Sequence, residues 1–341
     1  MSLEPIAAPD LPELLEFFER IGVHFGAGNL QQFSRPGGYP GGVGITTLAL
    51  RDDGRIQGTI GWIDVPALVR GSAVMLRWPI NQYLAAECRG RGLGKALMEA
   101  TRPGTALRCV IGGNSASIPI LDRTGYIQMG NLQRFRWSRP CLAPRLVGDR
   151  LAAGPRSLPP EELGFTRGGR RVTARRAPAL DPPDLPWQRS APPGGIQVPR
   201  TQGYLRWAFG GPLQSWHLVY QVVIEGSLSG CFVLAARAER RFVLTTEIVD
   251  LDCAAGAEEE TLDAALRVAL SRADVARLRV CGGRLVRAAA SAGGRKESDH
   301  PVRLSCDASL MGELRDLDAW QLTYGDHDQF RVRASSRIWR R

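Results

Sequence analysis

The stretch that decides the fold is Arg89-Gly90-Arg91-Gly92-Leu93-Gly94-Lys95, which follows a largely apolar run from 72 to 84. Its glycines alternate with bulkier residues, and glycine's freedom at positive φ lets successive backbone N–H groups turn toward one point. A helix predicted over 94–101 brings its positive N-terminal end to the same point, beside three basic side chains. The sequence therefore predicts an anion-binding loop, and a phosphate is the anion that suits it best.

Spacing excludes two common glycine-rich loops. A dinucleotide-binding fingerprint needs Gly-x-Gly-x-x-Gly and an acidic residue about twenty positions later, and residues 112–118 contain none. A P-loop needs Ser or Thr after its Lys, whereas Lys95 is followed by Ala96. The remaining pattern, Arg89-x-x-Gly92-x-Gly94, resembles the pyrophosphate-binding motif of the GNAT N-acetyltransferase superfamily. That motif holds the diphosphate of acetyl-coenzyme A.

A second motif strengthens the resemblance. Asn114, Ser117, Ile120 and the pair Gly125-Tyr126 stand at the spacing of the helix that follows the loop in that family. The resemblance covers roughly residues 3–138. It implies an α/β (α+β) fold in which a mixed, mostly antiparallel sheet is flanked by helices. It also implies that acyl-CoA is the donor and that its binding residues are Leu84, Arg89, Gly90, Arg91, Gly92, Leu93, Gly94, Lys95 and Asn114.

At 341 residues the chain is long enough for two domains. We predict a GNAT domain over 1–138, a Pro- and Arg-rich linker over 139–200, and a degenerate GNAT-like domain over 201–341. The last region repeats the order of strands and helices of the first, and it resembles the second lobe of tandem GNAT proteins. The corresponding loop, 250–257, has one glycine and two aspartates that would repel a diphosphate. We therefore expect the second domain to bind no CoA there.

The catalytic residues are less clear than the donor site. Acyl transfer needs a base for the amine, stabilisation of an oxyanion and an acid for the thiolate. Relatives often place a Glu on the strand before the loop and a Tyr at the position of Leu121, and this sequence has neither. Asn81 and Tyr83, two residues apart and expected on one strand face, are the candidate catalytic residues, and either could orient a water or the acceptor.

Composition and charge indicate which partners and which cellular location to expect. The chain carries 44 Lys and Arg against 34 Asp and Glu, a net charge of +10, with dense arginine clusters at 167–176 and 331–341. That excess favours polyanionic partners, so tRNA is a possible one. Seven scattered cysteines without a Cys-x-x-Cys pair indicate reduced thiols and no metal site. No signal peptide or membrane-spanning run is readable, so we expect a cytoplasmic protein that does not bind membranes.

Three functions remain open from the sequence. The first is an acyltransferase that moves an acyl group from acyl-CoA to an amine or hydroxyl of a small-molecule or sugar-type acceptor in a biosynthetic pathway. The second is an aminoacyl-tRNA-dependent transferase of the kind found in Fem-type peptidoglycan enzymes, where no thiol needs an acid. The third is a non-catalytic CoA-binding protein. The sequence does not define the oligomeric state.

Overall fold

The structure is a computed structural model. It describes residues 1–6, 10–23, 46–69, 71–105, 107–138, 158–177, 195–209, 217–239 and 243–307, and a few more between 310 and 323. The chain forms two compact units. Unit 1 comprises Met1–Asn131 and His300–Arg315, and unit 2 comprises Leu132–Asp299 and Asp316–Arg341.

The helices and strands follow one another in the order expected of two successive α/β domains. The first part of the chain forms β1 (Ser2–Pro5), α1 (Leu11–Arg20), β2 (Thr46–Asp52), β3 (Arg55–Val69), β4 (Ser72–Leu84), α2 (Leu93–Glu99), β5 (Leu107–Ile111), α3 (Ile118–Arg123) and β6 (Ile127–Ser138). The second part forms β7 (Glu162–Arg167), β8 (Arg170–Arg176), β9 (Ile196–Gln197), α4 (Gln202–Phe209), β10 (His217–Ile224), β11 (Ser227–Glu239), β12 (Val243–Cys253), α5 (Glu258–Arg272), β13 (Val275–Cys281), α6 (Gly283–Ser291), β14 (Arg295–Cys306) and β15 (Leu322–Thr323).

The sheet of unit 1 is mostly antiparallel. Strands β1 to β4 pair in sequence order, and the β2–β3 turn uses Asp53 and Gly54, both at positive φ. Strand β4 then pairs with β5 in parallel through two residue pairs only, at Leu76 and Arg77. Beyond β5 the sheet continues with residues 302–306 of β14, which run antiparallel to it.

Helices cover both faces of this sheet. Adjacent residues of a strand point to opposite faces, so a single strand can contact the helices on both sides. On β2, Ala49 packs in the cluster of α1 with Leu14, Phe17 and Phe18. Its neighbour Leu50 packs in a second cluster, which contains residues of α2 and α3. The expected sheet with helices on both faces is therefore confirmed for unit 1.

Unit 2 repeats this plan. Its sheet runs from residues 133–138 of β6 through β13, β12, β11, β10 and β8 to β7, and only the pairing of β12 with β13 is parallel. Helix α5 stands where α2 stands in unit 1, between two parallel strands, and packs its apolar face on the sheet. The predicted architecture, two mixed and mostly antiparallel sheets flanked by helices, is confirmed.

The predicted boundaries need two corrections. The supposed linker over 139–200 contains the hairpin β7–β8, which extends the sheet of unit 2, so the prediction of a segment without regular structure is wrong there. The hairpin is hard to predict from the sequence because its alternating apolar residues, Leu163 and Phe165, lie between proline-rich stretches. The domain limit at 138 is also too simple, because residues 300–315 belong to unit 1.

Candidate functional site

The predicted phosphate loop, residues 89–95, lies at the start of α2. Gly90 and Gly92 have φ values of 76° and 78°, and Gly92 is the N-cap of the helix. The first backbone bonds of α2 are donated by Lys95 and Ala96, both to the Gly92 carbonyl. The amides from Gly90 to Gly94 precede that first turn, so they are the donors that a helix start leaves for an outside acceptor.

The basic side chains of the loop face solvent. Arg89, Arg91 and Lys95 are exposed, together with the two glycines at positive φ, while Leu93 is half-buried. The Arg89 guanidinium lies 3.4 Å from the Leu84 carbonyl oxygen, which holds it beside the end of β4. A Cβ at Gly90 or Gly92 would meet no atom within 4 Å. The loop therefore presents exposed glycines and positive side chains that could accept a diphosphate.

Gly94 has a different role from its two neighbours. It lies within α2, and a Cβ there would come within 2.7 Å of Ile120 Cδ1 on α3. Gly94 thus allows α2 and α3 to approach closely. The space beside Gly90 and Gly92 is open, and their binding of a ligand stays a prediction, whereas Gly94 is required for helix packing.

The end of β4 contains a bulge that the sequence did not predict. Ile80 lies opposite Gly61 and Tyr83 opposite Thr59, so β4 has one more residue than β3 between these pairs. The extra residue is accommodated at Asn81, whose φ is 53° and whose carbonyl accepts a hydrogen bond from Thr59 Oγ1 at 3.1 Å. Such a bulge interrupts the two-residue alternation of side chains.

The bulge corrects the placement of the two candidate catalytic residues. Because Ile80 and Tyr83 both lie opposite residues on one face of β3, they share that face, and the prediction that Asn81 and Tyr83 share one is wrong. The Tyr83 ring packs edge-on against Phe18, 5.5 Å between centroids, within the cluster of α1. Asn81 is half-buried at the bulge itself.

Leu84 lies where the strand leads into the loop. Its side chain packs in the clusters on both sides of the sheet, and its carbonyl faces Arg89. After Arg77 the structure describes no further pairing between β4 and β5, so the backbone from 78 to 84 lies along an edge that β5 does not pair. Such an edge offers N–H and C=O groups to an extended ligand.

Asn114 performs a structural task. Its Oδ1 accepts hydrogen bonds from the amides of Ala116 (3.0 Å) and Ser117 (2.9 Å), while Ser117 Oγ accepts one from the Asn114 amide at 2.8 Å. This reciprocal arrangement is a capping box at the turn that leads into α3. Asn114 and Ser117 therefore cap the turn in this chain, and the predicted interaction of Asn114 with the donor stays a prediction.

Sequence reasoning missed Gln82. Its side-chain amide donates a 2.7 Å hydrogen bond to the Gly94 carbonyl, which ties the bulged end of β4 to the first turn of α2. No motif marks this residue, because the bulge decides which way it points. The only available signal was its place next to Asn81, between the strand and the loop.

The two tyrosine-related positions of the second motif are buried. Leu121 is 1% exposed in the cluster of α2 and α3, which agrees with the absence of an acid there. Tyr126 is also buried, and its ring covers the Arg108 guanidinium at 4.9 Å. Burial raises the pKa of Tyr126 to about 12, with Thr101 beside its hydroxyl. Thr101 follows the C-terminal end of α2, about 10 Å from the loop, so Tyr126 is not a candidate acid.

In unit 2, residues 250–257 correspond to the loop at 89–95. The structure gives a different reason from the predicted one for expecting no CoA there. Asp250 lies in β12, where its carboxylate binds the Arg200 guanidinium through two bonds of 2.9 and 2.8 Å, and Asp252 is buried too. The prediction that these two aspartates would repel a diphosphate is therefore wrong. Instead, Glu258 Oε2 accepts the Gly256 amide at 2.8 Å, so the start of α5 already has its own carboxylate.

Within the described part of the chain, no group of three or more His, Cys, Asp or Glu side chains is placed to hold a metal ion. None of the helices described is long and apolar enough to cross a bilayer.

No protein-family model matches the sequence, and a search of curated proteins finds no match. Solved structures do match. A probable N-acyltransferase from Enterococcus faecalis is 10% identical with a TM-score of 0.56, over 89% of this chain and 72% of that one. GCN5-related N-acetyltransferases from Kribbella flavida (15%, 0.55, 89% and 70%) and Anabaena variabilis (11%, 0.55, 89% and 72%) align similarly. This chain therefore has the fold of the GCN5-related N-acetyltransferases, GNAT, repeated in two units.

Proposed function

We propose that this protein is an acyltransferase that takes its acyl group from acyl-CoA and binds the donor in unit 1. The observation that carries the proposal is the loop at the start of α2. It combines amides ahead of the first helical bond with two glycines at positive φ and three exposed basic side chains. Helix starts of this kind bind phosphate groups. The fold shared with N-acetyltransferases supports the same interpretation.

The described residues fit a diphosphate and a thioester arm. The amides of 90–94 would hold the diphosphate, with Arg89, Arg91 and Lys95 supplying positive charge. The edge of β4 from 78 to 84 would bind the arm, since an extended chain can pair with a strand edge. When bound, acyl-CoA supplies the activated acyl group, and the protein's task is to position it against the acceptor.

The assignment of catalytic residues is a proposal, and it requires no strongly basic side chain. Binding two reactants in register can supply much of the rate acceleration without a strong base. Asn81, at the bulge, would orient the acceptor or a water, and Gln82 would fix the bulge against α2 through Gly94. Tyr83 packs against Phe18, and its ring could act directly only if the acceptor reached the ring edge. The acceptor class we propose is a small-molecule amine or sugar.

The direct test is acetyl transfer measured with purified protein, acetyl-CoA and a panel of amines, amino sugars and hydroxyl acceptors. Release of CoA that depends on acceptor would support the proposal. Acetyl-CoA binding by calorimetry without turnover on any acceptor would favour the non-catalytic alternative. Absence of acetyl-CoA binding would contradict both.

One molecule of acetyl-CoA is expected to bind per chain. The start of α5 in unit 2 is occupied by Glu258, and its neighbours Glu259 and Glu260 bind Arg167 (2.9 Å) and Arg170 (2.7 Å). These carboxylates occupy the amide and the arginines that an incoming diphosphate would use. Calorimetric titration should give a stoichiometry near one, and a value near two would show that the α5 start binds CoA despite them.

The tRNA alternative loses one of its supports. Four of the arginines over 167–176 that favoured it lie on the hairpin β7–β8, where Arg167, Arg170, Arg175 and Arg176 all form ion pairs with glutamates or Asp263. The second cluster, 331–341, lies outside the described residues. These four arginines of the hairpin therefore already have intramolecular partners.

We expect the double variant Arg167→Gln, Arg170→Gln to bind tRNA no more weakly than the native protein and to keep its acetyl-CoA turnover. If these arginines bound a phosphate backbone, the variant would lower the slope of log affinity against log salt by about 0.9 for each phosphate that is no longer neutralised. Filter binding over a salt series would measure that slope. A flattened slope together with transfer from charged tRNA would reinstate the second function.

A further inference from the structure

A side chain of the neighbouring strand holds the bulge in β4. Thr59 of β3 is fully buried, and its Oγ1 donates a 3.1 Å hydrogen bond to the Asn81 carbonyl. Asn81, with its φ of 53°, is the residue at which β4 accommodates its extra length. A bulge disrupts the ladder of backbone bonds between two strands. The Thr59 hydroxyl therefore supplies a partner for a carbonyl at the disrupted point.

The Thr59 bond also fixes the direction of the peptide group between Asn81 and Gln82. In a trans peptide the C=O and the N–H point in opposite directions. The Asn81 carbonyl is directed at Thr59 on β3, so the Gln82 N–H is directed away from β3. On that side lies the edge of β4 from 78 to 84 that β5 does not pair.

The register of β4 gives the same direction independently. Ala85 donates a backbone hydrogen bond of 2.8 Å to the Gln57 carbonyl of β3. In an antiparallel pair, residues whose backbone groups face the partner strand alternate with residues whose groups face away. Tyr83, two residues before Ala85, therefore directs its backbone groups to β3, and Gln82 directs its N–H to the unpaired edge.

We propose that Thr59 is a positioning residue of the acyltransferase site. Its hydroxyl holds the peptide of 81–82 so that the Gln82 N–H can donate to the thioester carbonyl of the bound donor, and the Gln82 side chain keeps the residue against α2 through Gly94. A preorganised backbone N–H stabilises negative charge that develops on such an oxygen, and loss of one donor of this kind lowers kcat by about 100- to 1,000-fold. The inference rests on the proposed function of unit 1.

Infrared spectroscopy of bound acetyl-CoA, isotopically labelled at the acetyl carbonyl carbon, tests this hydrogen bond directly. A hydrogen bond to the carbonyl oxygen lowers its stretching frequency relative to free acetyl-CoA. We expect the lowered frequency in the native protein and in Thr59→Ser, which keeps the hydroxyl. Thr59→Val has the same shape without a donor, so most of the shift should be lost. Calorimetry should show CoA affinity within about threefold of native, because the loop at 89–95 is expected to bind the diphosphate.

Turnover gives a second readout, with the acceptor that the acetyl-transfer panel identifies. In Thr59→Val, kcat should fall about tenfold or more while KM for acetyl-CoA changes less than about threefold. The fall is smaller than for outright loss of a donor because the released peptide still adopts the native orientation part of the time.

The matched control is Thr124→Val. Thr124 is also a buried residue of unit 1, and its hydroxyl donates a 2.9 Å hydrogen bond to the Ile120 carbonyl at the end of α3. The control should lower thermal stability, as Thr59→Val does, because each change leaves a carbonyl without its hydroxyl partner. Both the infrared frequency and kcat should stay at their native values.

Amide hydrogen exchange tests the native protein and needs no variant, so it holds even if Thr59→Val fails to fold. Acetyl-CoA should slow exchange of the Gln82 amide more than CoA does, because only acetyl-CoA carries the carbonyl that this N–H is proposed to bind.

Two results would overturn the inference while leaving the proposed function intact. One is an infrared frequency and a kcat in Thr59→Val that equal those of Thr124→Val. The other is exchange of the Gln82 amide that acetyl-CoA and CoA slow equally. If the native protein does not bind acetyl-CoA at all, the proposed function fails, and the role of Thr59 fails with it.

Discussion

Replacing Gly92 with Asp is expected to weaken acetyl-CoA binding by about 30- to 1,000-fold. The change places a carboxylate at the N-cap of α2, among backbone amides that are expected to bind an anion. Two like charges about 4 Å apart near a protein surface repel by about 4 kcal/mol, and half of that already gives the lower limit. Calorimetry with acetyl-CoA measures the effect.

The matched control is Gly92→Asn. Asn has nearly the same shape, tolerates the left-handed backbone that Gly92 adopts at 78°, and would meet no atom within 4 Å of its Cβ. We expect it to keep most of the affinity. Equal losses in both variants would mean that shape matters and charge does not, and no loss in either would remove the loop as the donor site. Gly94 is a poorer choice, because a side chain there strikes Ile120.

Replacing Asp250 with Ala is expected to lower the free energy of unfolding of unit 2 by about 3 to 5 kcal/mol. Arg200 and Asp250 are 2% and 1% exposed, and their two hydrogen bonds form a bidentate pair. Without the carboxylate, the buried Arg200 guanidinium loses this bidentate partner. Urea denaturation, followed by the fluorescence of the unit 2 tryptophans, would report the loss.

The second variant of this experiment removes both charges. Arg200→Met with Asp250→Leu replaces the pair by apolar side chains of similar size, which often restores the stability lost in the single variant. We expect the double variant to recover most of it. A loss below about 1 kcal/mol in Asp250→Ala would show that solvent reaches the pair, as at an exposed ion pair.

Local signals predicted most of the fold. The glycine loop and the helix that follows it depend on residues close in sequence, and both are present in the structure. The loop that we propose as the donor site could be located for the same reason, since a helix start that can bind an anion is built from consecutive amides.

What the sequence could not predict depends on pairing between distant residues. The bulge at Asn81 arises from the register of β4 against β3, and one extra residue there moves Tyr83 to another face. Two of the hairpin arginines, Arg167 and Arg170, pair with glutamates about ninety residues away in the sequence. Strand β14 has no turn signal that assigns its end to the first unit, so its partner β5 was not foreseen.

The assignment of residues 302–306 to the edge of β5 has a consequence for biosynthesis. Roughly 190 residues separate Ile111 from its partner Val302, so the ribosome needs about 10 to 40 s to deliver the missing strand. During that time the nascent first unit exposes an unpaired strand edge, which invites association with other chains. A protein shortened after residue 138 would keep that edge permanently. A strand that is translated late thus completes the first unit to emerge.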